Sequence, residues 1–324
     1  MHFEPQAAYA LRMSYRFDHP DRLAVEIRRV ATERLNDALG QLSEGLAGDP
    51  AKAVHEARKD LKKTRSLLRL IRANLGEGRF RSENDRLRDA AHLLAGAREA
   101  DAKVESLEAL IEHERSMSAE TTLAARGWLA ALRTGTSAQA DVGKAGAEAA
   151  ALIARSRDDA RLWALGYGSF DLIEPGLRRT FRQGRRYMAR AIEDPSDETL
   201  HEWRKRVKDM WYSLRLLGEV WEPVIRPMAD QAHKLSELLG DHHDLGEVRS
   251  AIETGAIELP NTAQTELLLC AGRRQDELHE ASISLGRKLY CERPRRYVER
   301  LGGLWGAWEE DAARHVGQDG LSGS

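Results

Sequence analysis

Residues 54–71 read VHEARKDLKKTRSLLRLI and residues 200–217 read LHEWRKRVKDMWYSLRLL, so one pattern occurs twice, 146 residues apart. Each copy opens with an apolar residue and His-Glu-x-Arg-Lys, and each has a Lys four residues past the Arg. Apolar residues recur at spacings of three and four, the period of a helix with one buried face. A chain that carries this helix twice has two like stripes to bury, and a duplicated helical plan buries both in the same way.

The repeat extends beyond the motif. Asp49-Pro50 precedes the first copy and Asp194-Pro195 the second. Downstream, LLAGAREADAKV (93–104) aligns with ELLGDHHDLGEV (237–248), pairing Gly96 with Gly240 and Val104 with Val248 at an offset of 144. A period this long is not that of a solenoid. The Val/Ile/Thr alternation of strands is missing, and Gly76, Gly166, Pro223, Gly240, Gly255, Pro260 and Pro294 sit where helices end. The sequence therefore predicts an all-α fold of roughly ten to twelve helices. Its expected organisation is an N-terminal segment (1–17), a first helical half (18–166), a second (167–312) and a disordered tail (313–324).

On a helical wheel, Arg58, Lys62, Arg65, Arg69 and Arg72 fall beside His55 in an arc about 100° wide. Val54, Ala57, Leu61, Leu68 and Leu75 form the adjoining apolar stripe. His201, Arg204, Lys208, Trp211 and Arg215 take the same arc in the second copy, beside Leu200, Trp203, Val207, Leu214 and Trp221. The net charge of −2 hides this sorting: residues 52–72 hold eight Lys or Arg against Glu56 and Asp60. Residues 178–190 hold six Arg and no acid, with Arg178, Arg182 and Arg185 on one stripe and Arg179, Arg186 and Tyr187 beside it. A third basic group runs from Arg287 to Arg300.

Like charges one turn apart repel, by a few tenths of a kcal/mol per pair. A row of them on each of two copies suits a linear polyanion, because one helical face presents a side chain about every 5–6 Å. Arg grips two phosphate oxygens at once and Lys supplies a point charge. His55 and His201 are expected to be neutral among these cations and to gain a proton when an anion binds; the alternative role for each is a hydrogen bond to a helix-terminal carbonyl. The candidate phosphate-binding set is His55, Arg58, Lys59, Lys62, Arg65, Arg69 and Arg72 with His201, Arg204, Lys205, Lys208 and Arg215, joined by Arg178, Arg182, Arg185 and Arg186.

Other chemistries find little footing. HEARK and HEWRK lack the second His of a metalloprotease, since Lys59 and Lys205 stand there. The Asp241-His242-His243-Asp244 run reads as helix punctuation, with Gly240 ending one helix and Asp244 and Glu247 capping the next. No Walker loop, nucleophile elbow or dinucleotide fingerprint is present, and no carboxylate cage for Mg²⁺ adjoins the basic stripes. The sequence predicts no catalytic residue, no metal and no cofactor. Cys270 and Cys291 lack disulfide or zinc spacing and read as buried reduced thiols. No run nears the ~18 apolar residues of a membrane span, so a soluble, cytoplasmic chain is expected.

Two His-x-x-Arg-x-x-x-Lys helices, His55-Arg58-Lys62 and His201-Arg204-Lys208, within a duplicated helical chain resemble the CHAD (conserved histidine α-helical) domain over residues 18–312. The Leu-Gly-Asp-His-His-Asp run at 239–244 is also similar to that family's second repeat. The resemblance implies two pseudo-symmetric bundles with basic helices lining a groove or pore. It further implies binding of inorganic polyphosphate and association with polyphosphate granules, without catalysis. Other phosphate polyanions are expected on the same surface, and RNA is the alternative ligand, for which only Trp211 and Tyr187 offer stacking rings. The sequence departs from an even repeat at Trp211, where the first copy has Arg65.

Overall fold

Asp49 starts the first repeated helix: its carboxylate accepts from the Lys52 N–H at 3.0 Å, and Pro50, which has no N–H to satisfy, takes the first turn. Ser196 does the same for the second, accepting from the Thr199 N–H at 3.3 Å, with Asp197 and Glu198 in the turn where the helix dipole favours acids. The computed structural model describes residues 15–94, 99–135 and 142–319. Among the described residues it forms twelve α-helices and no strand, so the all-α class is as the sequence predicts.

The helices are α1 (Leu23–Ser43), α2 (Pro50–Leu70), α3 (Arg72–Leu75), α4 (Glu77–Leu93), α5 (Glu99–His113) and α6 (Ala119–Gly135). They continue as α7 (Val142–Arg161), α8 (Glu174–Glu193), α9 (Asp197–Leu216), α10 (Glu222–Glu253), α11 (Asn261–Leu289) and α12 (Pro294–Asp319). The repeated segments are α2 and α9. Residues 1–14 of the expected N-terminal segment, and Gly96 of the aligned run, lie outside the described residues.

The apolar stripes face inward as their periodicity requires. Val54, Ala57, Leu61 and Leu68 on α2 are buried, as are Leu200, Trp203, Val207 and Leu214 on α9. Each large aliphatic side chain removed from water here contributes about 2 kcal/mol. Leu75 is half-buried and Trp221 is 50% exposed, because α2 and α9 end before the wheel reaches them. α2 packs on α1 and α4, and α9 on α8 and α10. The two repeated helices also touch each other, with the Ser66 hydroxyl donating to the Asp209 carbonyl at 3.4 Å.

α8 approaches the end of α2 closely because Gly176 has no side chain: a Cβ there would overlap the Leu70 carbonyl. Phe181 stacks on Tyr297 at 4.0 Å and ties α12 to α8. Residues 15–17 join the same core, with Phe17 N–H bonded to Leu216 O at 2.9 Å. A second core lies apart from the first. Leu107 and Leu110 of α5 and Leu129 of α6, from the 18–166 segment, pack against Leu245 and Val248 of α10 and Leu267 of α11.

Three expectations change. α10 runs unbroken through Gly240, so no helix ends or is capped there; a glycine inside a helix costs up to about 1 kcal/mol, and packing offsets it. α12 reaches Asp319, past the expected boundary at 312. Cys270 is buried, but Cys291 is exposed. No helix among the described residues is long and apolar enough to cross a membrane.

Candidate functional site

The cations of α2 do not form one open row. Arg58 lies at the C-terminal end of α4, donating through Nη1 to Leu94 O at 3.1 Å. Lys59 pairs with Glu56 at 2.9 Å, and Lys205 pairs with Glu202 at 2.5 Å in the same i,i+3 geometry. The motif Glu therefore serves as local partner to the motif Lys in both copies. His55 Nε2 lies 3.7 Å from Glu56. Arg65 donates to Asn84 of α4 at 3.1 Å, and Arg69 reaches across to Asp209 of α9 at 2.9 Å. Arg72 leaves the row altogether. The backbone turns at Ile71 (φ −97°, ψ 9°), and Arg72 opens α3, where it grips Glu77 at 2.8 and 2.6 Å over the Phe80 ring.

On α9, Arg204 lies over α10. A Cβ on Gly240 would stand 2.6 Å from its Nη2, and its Nε is buried without a hydrogen bond among the described residues. Arg58 and Arg204, which occupy the same place in the repeated strings, are thus each laid against a following helix. Lys208 is half-buried. Arg215 sits over the rings of Tyr15 at 5.6 Å and Trp211 at 5.7 Å. His201 faces His243 of α10, with ring centroids 4.9 Å apart.

The strongest convergence is around Lys62. Its side chain reaches solvent, yet the surrounding protein, then Arg58, Arg204 and Lys59, push its pKa down to about 8. That set joins three cations of α2 to one of α9. Arg65, half-buried and beside Arg69, is pushed down to about 10, chiefly by burial. His201 is lowered by burial first, then by Lys205, His243 and Arg204, so its ring is neutral without a bound anion.

The α8 arginines divide. Arg178 is exposed and lies 3.6 Å from Glu174, and Arg186 is exposed. Arg185 turns away, donating to the Glu292 carbonyl between α11 and α12. Arg182 shares a second cationic cluster with Arg179, Arg72 and Arg206. Burial, then Arg72, with Arg206 and Arg182 after it, lower the Arg179 pKa, while Glu77 opposes them. Arg206 lies about 140° from His201 on the wheel, off the face that the repeat singles out. Its partners are Asp209 at 3.4 Å and Gln183 at 3.3 Å. Arg206 and His243 were absent from the sequence-based set; the Asp-His-His-Asp run held the signal for His243, while nothing in the spacing pointed to Arg206.

Two buried carboxylates hold this array in place. Asp60 accepts from Lys63 at 2.7 Å and from Arg34 of α1 at 3.2 Å. Asp209 is held by Arg69 and Arg206.

The two His-headed helices α2 and α9 lie in one fold, with Arg204 of α9 among the cationic neighbours of Lys62 of α2. The profile of the CHAD domain matches residues 29–253. The chain belongs to the CHAD domain family. The match takes in α2, α9 and α10; α11 and α12 lie beyond it. In the basic run outside the matched span, Arg295 and Arg296 pair with Glu299, and Arg300 with Glu292 at 2.7 Å. No curated protein and no solved structure matches the chain.

Proposed function

We propose that this CHAD domain binds inorganic polyphosphate without turning it over. The reading rests on one observation: Lys62 has Arg58 and Lys59 of its own helix and Arg204 of the other repeat as its cationic neighbours. A charge set that depresses its own lysine is poised for an anion, because a bound phosphate chain converts mutual repulsion into attraction for every member. In this reading the two repeated segments are a structural duplication, 18–166 and 167–312, and their cationic faces border a shared groove. Lys62, Arg58, Arg204 and Lys208 line its centre, and Arg65, His55 and His201 its margins. The Arg179, Arg182 and Arg206 cluster extends it along α8. Polyphosphate granules are the site at which such a protein would collect in the cytoplasm.

RNA is the weaker reading. Trp211 stacks on Tyr212 at 4.6 Å and meets His233, tilted by 44°, at 4.0 Å, and Arg190 lies over Tyr187 at 5.5 Å, so neither ring offers an open pair of faces to a base.

Calorimetric titration with long-chain polyphosphate at several salt concentrations tests the proposal. Affinity is expected to fall steeply with salt through counterion release, and to fall at least tenfold, about 1.4 kcal/mol, in Lys62→Ala with Arg204→Ala. Salt-independent binding, RNA outcompeting polyphosphate, or phosphate release in the presence of Mg²⁺ would overturn it.

A further inference from the structure

His243 lies outside the basic rows, yet it meets His201 ring to ring at 4.9 Å, tilted by 43°. His201 Nδ1 and His242 Nδ1 are both buried and make no hydrogen bond among the described residues. Next to them on α11, His279 Nδ1 is in the same condition. Four imidazoles thus run from α9 through α10 to α11, with His201 at one end beside Arg204.

We infer that His243 is a further ligand of the anion site and that the His201–His243 pair takes up a proton when the polyanion binds. The inference rests on the polyphosphate reading above and deepens it.

The charges around the pair set the direction. From α9 come Arg204 and Lys205, which oppose a proton on His201, and Glu202, which favours it. From α10, Asp241 has Arg204 as an electrostatic neighbour, and Asp244 and Glu237 push its own carboxyl up behind burial. His242 feels Asp197 of α9 and Asp276 of α11 as favouring its charge, and His279 and His243 as opposing it, with burial the largest influence. In the free protein the cations and burial prevail at His201. A phosphate chain lying along Arg204 adds negative charge at the same distance and reverses the balance. The pair then makes affinity climb as pH falls toward the histidine range, while the Arg contacts hold at any physiological pH.

The test is a proton inventory on the full chain: calorimetric titration with long-chain polyphosphate at pH 6.5 in two buffers of different ionisation heat. At this pH Lys62 is already protonated, so its amine adds nothing to the uptake. Wild type is expected to take up protons and to bind about fivefold more tightly at pH 5.5 than at pH 7.5. His243→Gln and His201→Gln, each checked for an unchanged thermal midpoint, are each expected to lose most of the uptake and at most about one unit of the salt slope, the Arg and Lys contacts keeping the rest. Tight wild-type binding without uptake, or uptake unchanged in both variants, overturns the inference and leaves polyphosphate binding standing. No wild-type binding at any pH overturns both.

Discussion

Arg69 of α2 donates to Asp209 of α9 across 2.9 Å, and Arg206 approaches the other oxygen of the same carboxylate at 3.4 Å. Asp209 stands where the first repeat has Lys63, and Arg206 where it has Asp60. Both copies therefore keep an i,i+3 ion pair at one place, Asp60–Lys63 in the first and Arg206–Asp209 in the second, with the signs exchanged. The exchange is what lets Asp209 take Arg69 from the other helix. Arg69, a cation that the wheel assigns to ligand, is thus spent on holding α2 and α9 together.

Removing that carboxylate leaves two half-buried guanidinium groups facing one another. Asp209→Ala is expected to lose about 3–5 kcal/mol, the usual cost of breaking a buried pair from one side. Urea unfolding followed by circular dichroism measures it. Added polyphosphate should restore more stability to the variant than to wild type, since it replaces the missing negative charge.

The α4–α7 contact predicts an acid-side effect of opposite character. Glu83 is buried, with Arg86 Nη1 at 3.3 Å and Asp159 sharing the same arginine at 2.7 Å. Burial raises the Glu83 carboxyl well above its ordinary range despite Arg86. The folded state thus holds a proton that the unfolded state has released, and stability from this group falls as pH rises from about 4.5 toward 7. Thermal midpoints should decline over that window in wild type, and Glu83→Gln, which stays neutral, should flatten the decline.

The helical plan was legible because it is written in spacing. Val54, Leu61, Trp203 and Val207 point inward at the period their positions dictate, and Asp49 and Ser196 cap the helices they precede. The destination of each cation was not, because a wheel gives direction and not distance. Arg69 and Arg215 hold matching places, yet one ends on a carboxylate and the other over two aromatic rings. Arg72 fell on the stripe only while α2 was drawn past Ile71, where the backbone turns. Gly240 looked like a helix end because glycine commonly ends helices. Its reason for being there, the guanidinium lying on it, belongs to tertiary structure.

Gly240 and Gly176 separate a binding glycine from a folding one. A Cβ on Gly240 would meet the movable end of Arg204, 2.6 Å from Nη2, whereas one on Gly176 would meet backbone, the Leu70 carbonyl. Gly240→Ala is expected to fold with a midpoint equal to or slightly above wild type, given alanine's better helix propensity, and to bind polyphosphate about three- to tenfold more weakly, up to 1.4 kcal/mol. Gly176→Ala is expected to lower the midpoint sharply. Equal binding by Gly240→Ala and wild type would show that Arg204 finds an equivalent position.

Lys62 gives the site a second pH boundary, on the alkaline side. Its pKa of about 8 lies below that of an ordinary lysine because the surrounding protein and three neighbouring cations disfavour its charge. In the free protein, the unfolded chain holds this proton more tightly than the folded one from about pH 8 to the ordinary lysine value near 10.4. The lysine's contribution to stability therefore rises with pH through that window, and Lys62→Met should be more stable than wild type at pH 7. Binding has the opposite sign: a polyanion favours the charged amine, so affinity should fall as pH climbs through 8. Lys62→Arg, charged throughout, should hold its affinity to pH 9.5. Titrations of wild type and Lys62→Arg at pH 7 and 9.5 decide the matter, and parallel curves would remove Lys62 from contact with the ligand.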